Sequence, residues 1–427
     1  MQWVKNGKAK IIISFLTISM ALSISPLKAN GIQYDATVNM QPRIASFLTL
    51  SPVVASSKED LAKIRSINEI NWYLAQMNTA DLTAALKLLQ IEQLIKVGYV
   101  GGAPDDILMS GAIKGMVNSI GDPYSVYMDA AMYKELTIET KGSFGGVGIV
   151  LGSKDKKLTV VAPIEGTPSD KAGIMSGDQI IKIDGHDTQE LAVDEAVKMI
   201  RGSEGSQVTL TINRAGQELK EYILIRSTIK MDTVNGKMLD NNIGYVRLSM
   251  FNENTGSDLS NKLQELEVQG MKGIILDLRN NPGGLLEESI KVASNFVPQG
   301  PIVSVVSKDG TKKTRFSTLE AIKYPLAVLV NGGSASASEI VAGAVQDTDA
   351  GTLIGTKTFG KGLVQTVLPL GDDSALKLTI AKYFTPNDRS INGIGLEPDI
   401  IVEMPAIKEE GKDLQLEKAI DVLKEKL

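Results

Sequence analysis

The spacing of apolar positions defines the first region of the chain. Between Lys58 and Met132, apolar and charged residues recur every three or four positions, as in LTAALKLLQIEQLIKVGYV, which predicts amphipathic helices. The last of these, over Gly111 to Ile120, is expected to stop at Gly121-Asp122-Pro123, because proline cannot continue a helix. The pattern therefore predicts a helical N-terminal region over residues 30–132.

Short apolar runs separated by Gly, Asp and Ser replace the helical pattern over residues 133–228. LTVVAPI, DQIIKIDG and SQVTLTINR predict strands, and VDEAVKMIR predicts one helix before the last strand. Glycines before a strand leave backbone N–H groups convergent, which suits a carboxylate. The order resembles a PDZ domain, and the alternative is a glycine hairpin in another small β-domain. The resemblance implies an edge that accepts a C-terminal peptide as an added strand, with these binding residues: Gly145, Gly146, Val147, Gly148 and Ile149.

Strands and helices alternate over residues 229–403. Helical patterns cover Asp258 to Gln269 and Glu288 to Phe296, and the apolar runs between them predict strands at Ile243–Leu248, Gly273–Leu278, Ile302–Val306, Leu326–Val330 and Leu353–Gly355. Such alternation indicates a layered α/β core. A charged, helical tail is expected over residues 404–427.

The first 29 residues have the layout of a secretory signal. Lysines precede a mostly apolar run, Ile11 to Ile24, and the segment ends at Ala29, where we expect cleavage. Fourteen residues are short for a spanning helix, and an uncleaved membrane anchor is the alternative. A second apolar segment, Ile44 to Ala55, contains Pro52 and is too short to span a membrane. These features predict an exported protein that is periplasmic, in the cell envelope or extracellular.

Composition narrows the chemistry. The chain has 427 residues, 43% of them hydrophobic, and a net charge of −5, which favours several domains and does not favour nucleic-acid binding. The absence of cysteine excludes thiol nucleophiles, disulfides and Cys-ligated zinc. The single histidine, His186, lies in a predicted turn, so a Ser-His-Asp triad would have to form around that loop. A serine enzyme with this composition is expected to use a lysine base, without metal or cofactor.

Two glycine-rich turns near the end of the core carry the candidate chemistry. The strand Leu326–Val330 stops at Asn331-Gly332-Gly333, and a segment with three serines leads into a helical pattern, so that a serine side chain can stand clear beside free helix N–H groups. The second turn, TFGKG, contains Lys361, whose neighbours Phe359, Leu363 and Val364 predict a desolvated amine. Desolvation lowers the pKa of a lysine, which can then act as a base.

Four motifs in order resemble the carboxyl-terminal processing protease family, namely YVRLSMF, LDLRNNPGG, GSASASEI and TFGKGLVQ. The likeness extends over residues 95–403. It implies that Ser336, twenty-five positions before Lys361, is the nucleophile rather than Ser334 or Ser338. It also implies that Lys361 is the base and that Gln365 orients it; a polar strand residue without a catalytic part is the alternative for Gln365.

Acyl transfer also requires donors for the oxyanion. In Asn281-Pro-Gly-Gly284 the glycine N–H groups are free to converge, and the N–H of Ala337 follows the nucleophile, so Gly283 and Ala337 are the predicted oxyanion donors. A plain loop before a helix is the other interpretation of Gly283. Glu339, in the first helical turn, is expected to stabilise the helix dipole rather than act as a base.

The predicted fold is multidomain α+β: a helical N-terminal region, a PDZ β-domain and a layered α/β core of the ClpP and crotonase type. The resemblance implies an exported serine endopeptidase that binds exposed C-terminal tails of proteins and cleaves them through an acyl-enzyme. It further implies a PDZ segment that gates the core, helical ends that support homo-oligomers, and control by a partner protein. The alternative is a catalytically silent, PDZ-bearing adaptor.

Overall fold

The computed structural model describes residues 76–154, 157–403 and 412–427. The predicted signal segment and the apolar segment Ile44 to Ala55 lie outside these residues. Among the described residues, those up to Leu108 and those from Met109 onward belong to two separate compact units. Helices α1 and α2 are Thr79–Gly98 and Asp105–Asn118, and α1 begins with a capping box in which Asn78 and Asp81 bond each other's backbone N–H. No helix in the described ranges is long and apolar enough to span a membrane.

The PDZ region contains a sheet with strand order β3-β4-β5-β7-β8, and β6 pairs with β5. Its strands are β3 (Ile149–Lys154), β4 (Lys157–Pro163), β5 (Gln179–Ile183), β6 (His186–Asp187), β7 (Gln207–Asn213) and β8 (Lys220–Ile225). A second, two-stranded sheet joins β2 (Ser143–Gly146) to β9 (Ser227–Lys230). Alternate residues of β7, Val208, Leu210 and Ile212, are buried, because successive side chains of a strand point to opposite faces. The predicted PDZ strands are thus present.

Three helices accompany these strands, α3 (Ala130–Lys141), α4 (Pro168–Lys171) and α5 (Val193–Ile200). The helix α5 was predicted, whereas the sequence pattern placed β-structure from residue 133 and did not predict α3. The β-branched residues of TIET obscured its pattern. Its end signals are clear: Asp129 accepts a hydrogen bond from the N–H of Met132, and Gly142 ends the helix in the left-handed conformation.

The core is built on a six-stranded sheet with order β10-β11-β12-β15-β16-β19, in which only the β10–β11 pair is antiparallel. The strands are β10 (Val234–Leu239), β11 (Ile243–Leu248), β12 (Gly273–Asp277), β15 (Leu326–Val330), β16 (Thr352–Gly355) and β19 (Ile400–Ile401). Alternate residues of β15 face opposite sides: Val328 packs with the core that contains Val341, and Leu329 packs with Leu423. Both faces are covered, as a largely parallel sheet requires.

Four helices cover this sheet, α6 (Thr255–Val268), α7 (Leu286–Ala293), α8 (Ala337–Asp347) and α9 (Leu414–Lys424). Residues of α6, α7 and α8 share one apolar cluster, and Ala419, Val422 and Leu423 of α9 belong to the cluster on the opposite face. The predicted tail therefore contains a helix that packs on the core. Arg279, which follows β12, forms ion pairs with Asp277 and with Asp413, the N-cap residue of α9, and thereby fixes α9 to the core.

A second core sheet surrounds β18 (Ala375–Phe384). One edge of β18 pairs with β17 (Leu363–Pro369), and the other edge pairs with β1 (Val126–Met128) and β13 (Gly300–Ser307), which in turn pairs with β14 (Lys312–Ser317). The strand β1 precedes the PDZ region in sequence and lies within residues 30–132, which were predicted as the helical N-terminal region. This part of the predicted helical region therefore contributes a strand to the core.

Candidate active site

A strand, a tight turn and a helix position the candidate nucleophile. All five residues of β15 are buried, and α8 begins directly after Ser336. Ser336 has φ +54°, a strained conformation for a residue with a Cβ. Ser334 and Ser338 are buried, and their hydroxyls donate to the carbonyls of Leu278 and Asn281. Ser336 is partly exposed, so it alone of the three serines presents its side chain outward.

The carboxylate of Glu339 joins the serine turn to the lysine turn. It is fully buried and lies in the first turn of α8. One oxygen accepts hydrogen bonds from the N–H groups of Ser336 (2.8 Å) and Lys361 (2.9 Å). The other accepts from the hydroxyl of Thr358 (2.6 Å) and the N–H of Gly360 (2.7 Å). Glu339 therefore does more than stabilise a helix dipole, because it sets the separation of two distant backbone segments.

A buried tyrosine makes a second connection between the same residues. The hydroxyl of Tyr383, on β18, lies 3.0 Å from the carbonyl oxygen of Ser336 and 2.5 Å from that of Lys361. Burial, and then the nearby charge of Glu339, raises the pKa of Tyr383 well above its usual value, so the hydroxyl stays a donor. Sequence reasoning did not identify Tyr383, since its contacts come from strand pairing that no local pattern shows.

The side chain of Lys361 lies half-buried below the ring of Tyr124, with 4.7 Å between Nζ and the ring centroid. Burial, followed by the charge of Lys377, lowers its pKa, while the charges of Asp122 and Glu339 act in the opposite direction. The expected lowering is present, but one expected cause is not: Phe359 is 57% exposed. Tyr124 comes from the Asp122-Pro-Tyr turn, which the sequence indicated only as a helix stop.

Gln365 lies on β17, opposite Thr379 of β18. Its amide Nε2 is 3.2 Å from the hydroxyl oxygen of Thr379, and no hydrogen bond connects it to Lys361 in the described part of the chain. The pairing of β17 and β18 shifts register between Val364 and Gln365. The amide of Gln365 is thus bonded to the neighbouring strand β18.

The two predicted oxyanion donors both lie beside Ser336. A Cβ placed on Gly283, which has φ +104°, would fall 2.9 Å from the Cβ of Ser336 and 3.0 Å from the nitrogen of Ala337, so only glycine fits. The N–H of Ala337 makes no hydrogen bond to any described residue. The N–H of Gly283, in contrast, donates to Oδ1 of Asn281 at 2.9 Å. One donor is free, and the other is engaged by a side chain.

The five predicted peptide-binding residues are consecutive: Gly145 and Gly146 end β2, Val147 and Gly148 link it to β3, and Ile149 begins β3. β3, which begins at Ile149, is an edge strand paired only with β4. Carbonyls of Gly145, Val147 and Gly148 accept hydrogen bonds from Gly202, Ser169 and Ile164, respectively, and Gly146 pairs with Ser227. The N–H groups of Val147 and Gly148 donate to no residue that the structure describes. Two free donors therefore precede an open strand edge.

No group of His, Asp or Glu side chains in the described ranges is arranged to hold a metal ion.

Comparison with known protein families supports both the PDZ region and the protease core. Three family models match: "Peptidase family S41" over residues 242–402, "PDZ domain" over 135–213 and "Activating protease CtpB N-terminal domain" over 49–132.

Relatives match over most of their length. A carboxy-terminal-processing protease of Bartonella bacilliformis is 44% identical, over 84% of this chain and 81% of the relative. The carboxy-terminal processing protease CtpA of Bacillus subtilis is 42% identical, over 75% of this chain and 69% of the relative. A carboxyl-terminal-processing protease of Synechocystis is 40% identical, over 73% and 76%. The predicted resemblance is confirmed, and the chain belongs to the carboxy-terminal processing proteases, serine-type peptidases of family S41 with a PDZ domain.

Proposed function

We propose that Ser336 and Lys361 form the catalytic dyad of this protease. The observation that carries the proposal is the double connection between them: one carboxylate, from Glu339, and one hydroxyl, from Tyr383, bind the backbone of both residues. The lowered pKa of Lys361 supports the assignment, because only a neutral amine can accept a proton from serine.

The reaction runs in two halves. The neutral amine of Lys361 takes the proton of the Ser336 hydroxyl as Oγ attacks the peptide carbonyl, which gives a tetrahedral oxyanion. The resulting ammonium then protonates the leaving amine, the C–N bond breaks, and an acyl-enzyme ester remains. In the second half, Lys361 deprotonates a water molecule that attacks the ester, and it returns the proton to Ser336 Oγ as the ester bond breaks.

The oxyanion is stabilised by backbone donors at the serine turn. The free N–H of Ala337 is available to it, since it follows the nucleophile directly. Gly283 supplies a second donor only when its N–H leaves Asn281 Oδ1, so we assign it to the substrate-bound state. We also assign Gln365, which donates a hydrogen bond to Thr379 on β18, the role of orienting Lys361.

The PDZ domain and the family indicate protein substrates with C-terminal tails. We infer that the tail binds as an added strand on β3, with its carboxylate at the free N–H groups of Val147 and Gly148. Gly145 and Gly146 precede these two donors at the end of β2, and Ile149 follows them as the first residue of β3. Export through the segment 1–29, as a cleaved signal or a membrane anchor, belongs to the same proposal, as do homo-oligomers and a regulatory partner protein.

Cleavage of an unfolded protein substrate tests the dyad. Ser336→Ala and Lys361→Ala are each expected to abolish cleavage, while Lys357→Ala, which alters an exposed lysine paired with Glu397, keeps it. Binding of a tail peptide, measured by fluorescence anisotropy, should survive in both inactive variants and should be lost when the peptide carboxylate is amidated. Full activity in Lys361→Ala would exclude lysine as the base.

A further inference from the structure

The turn Asp122-Pro-Tyr-Ser125 lies over the amine of Lys361. The ring of Tyr124 presents its face to Nζ at 4.7 Å from the centroid, within the distance at which aromatic faces attract cations. The Tyr124 hydroxyl makes no hydrogen bond to the described part of the protein. The ring, and not the hydroxyl, is therefore the part of the side chain that acts on the lysine.

The turn is fixed to the core rather than free to move. Asp122 accepts hydrogen bonds from the N–H of Tyr124 (3.1 Å) and the hydroxyl of Ser125 (2.5 Å). Ser125 is buried, and its hydroxyl oxygen accepts from the N–H of Thr379 at 3.0 Å. The next residues form β1, whose pairing with β18 sets Val126 opposite Lys377. The strand β18, which carries Tyr383 and pairs with β17, thus also holds the turn that carries Tyr124.

Several charged or titratable groups face Lys361. The charges that act on its amine are those of Asp122 in the same turn as Tyr124, Glu339 on α8 and Lys377 on β18, while the hydroxyl of Tyr383 bonds the carbonyl oxygen of Lys361. An attractive ring face favours the ammonium, whereas exclusion of water favours the neutral amine. Lys361 is half-buried, and burial disfavours the charged form of an amine. The net lowering of the Lys361 pKa, with burial as its largest cause, has the sign expected for a cover.

We propose that Tyr124 is a positioning residue for the catalytic lysine, and that its ring shields the amine of Lys361 from water. The inference rests on the proposed role of Lys361 as base. It adds to the dyad a residue from the segment before the PDZ domain, a part of the chain separated from the serine turn by more than two hundred positions.

The test follows the rate at which a fluorophosphonate probe labels Ser336 in the full-length protein as a function of pH. Labelling rises with pH as Lys361 loses its proton. Tyr124→Phe keeps the ring face and is expected to follow the wild-type curve. Tyr124→Ala admits water to the amine, so the pH at which the labelling rate rises should increase by about one unit, and labelling at neutral pH should be about tenfold slower. Thermal unfolding confirms that each variant is folded.

Three results separate the possibilities. The shielding role is overturned if Tyr124→Ala lowers the labelling rate equally at every pH. It is also overturned if the pH at which labelling rises is unchanged or lower in this variant. If Lys361→Ala is labelled as fast as the wild type, the proposed dyad itself fails. If Tyr124→Ala does not fold, Tyr124→Gln replaces it, because the polar amide lets water reach the same amine. The same increase in the pH at which labelling rises is expected for Tyr124→Gln, and an unchanged pH overturns the inference.

Discussion

The buried carboxylate of Glu339 offers the sharpest test of how the site is held. Its oxygens accept four hydrogen bonds, from Ser336, Thr358, Gly360 and Lys361, and every one of these groups is a donor. Glu339→Gln keeps the shape but places an NH₂ group where one oxygen was. The amide is better accommodated with its NH₂ toward Thr358, whose hydroxyl can accept, and the N–H of Gly360 then loses its acceptor.

The magnitude follows from this geometry. A buried donor without a partner costs about 1–3 kcal/mol. The two bonds kept to Ser336 and Lys361 change from charge-assisted to neutral, which weakens each by about 1 kcal/mol. The free energy of unfolding should fall by about 3–5 kcal/mol, which corresponds to a drop of roughly 10 °C in Tm for a core of this size. Because both tied residues belong to the dyad, kcat should fall about tenfold or more, with a smaller change in KM.

Differential scanning calorimetry and steady-state cleavage of a labelled unfolded protein measure the two effects. Glu287→Gln is the matched control, since Glu287 also lies in the first turn of a helix but is exposed and paired with Arg315 on the surface. Its loss should cost no more than about 1 kcal/mol and leave kcat unchanged. A Glu339→Gln protein that melts within about 2 °C of the wild type and keeps its kcat would refute the structural connection argued from the carboxylate.

Two further substitutions probe the same site. Tyr383→Phe removes the hydroxyl that bonds the carbonyl oxygens of Ser336 and Lys361, and it should lower kcat about tenfold. Tyr127→Phe is the control and should leave kcat unchanged, because the hydroxyl of Tyr127 makes no hydrogen bond to the described residues. Equal kcat values for the two variants in the cleavage assay would contradict this prediction. Gly283→Ala places a methyl group 2.9 Å from the Cβ of Ser336 and should abolish fluorophosphonate labelling of Ser336. Gly310→Ala is the control: Gly310 also has a positive φ (+82°) but open space around it, so this variant should be labelled normally. Normal labelling of both variants would show that the close approach of Gly283 to Ser336 is not required.

The sequence was sufficient for the regular parts of the fold because they follow periodic burial. The runs at Ile243–Leu248 and Leu326–Val330 are strands with the predicted bounds. Leu326–Val330 is continuously apolar because it is buried on both faces, and Ile243–Leu248 is interrupted only by the exposed Arg247. The helix α3 was missed because its β-branched residues favour strands locally. The strands β17 and β18 were not among the predicted apolar runs, although Gln365 was considered as a strand residue. Polar residues interrupt both strands, Gln365 and Thr366 in β17 and Lys377, Thr379 and Lys382 in β18, and the two strands pair with each other.

For the site, the sequence indicated which side chains are chemically competent but not how they are held. The three neighbouring serines are distinguished by burial and by the carbonyls that bind Ser334 and Ser338, neither of which a local pattern contains. Similarly, Phe359 lies two residues before the lysine and is 57% exposed, whereas the ring over the amine comes from Tyr124. Proximity in sequence is a poor guide to desolvation, because a turn directs neighbouring side chains apart.

The position of β1 has a consequence for the architecture of the protease. This strand pairs with β18 of the core, but in sequence it lies before the PDZ strands, while β10 and the rest of the core lie after them. The PDZ region is thus an insertion between two parts of one core. Backbone hydrogen bonds occur at both ends of the insertion: the N–H of Glu253 donates to the carbonyl of Thr140, and the N–H of Met231 donates to the carbonyl of Gly142. A protein cut to begin after the PDZ region would retain Ser336 and Lys361 but lose the strand and the aromatic turn beside the amine.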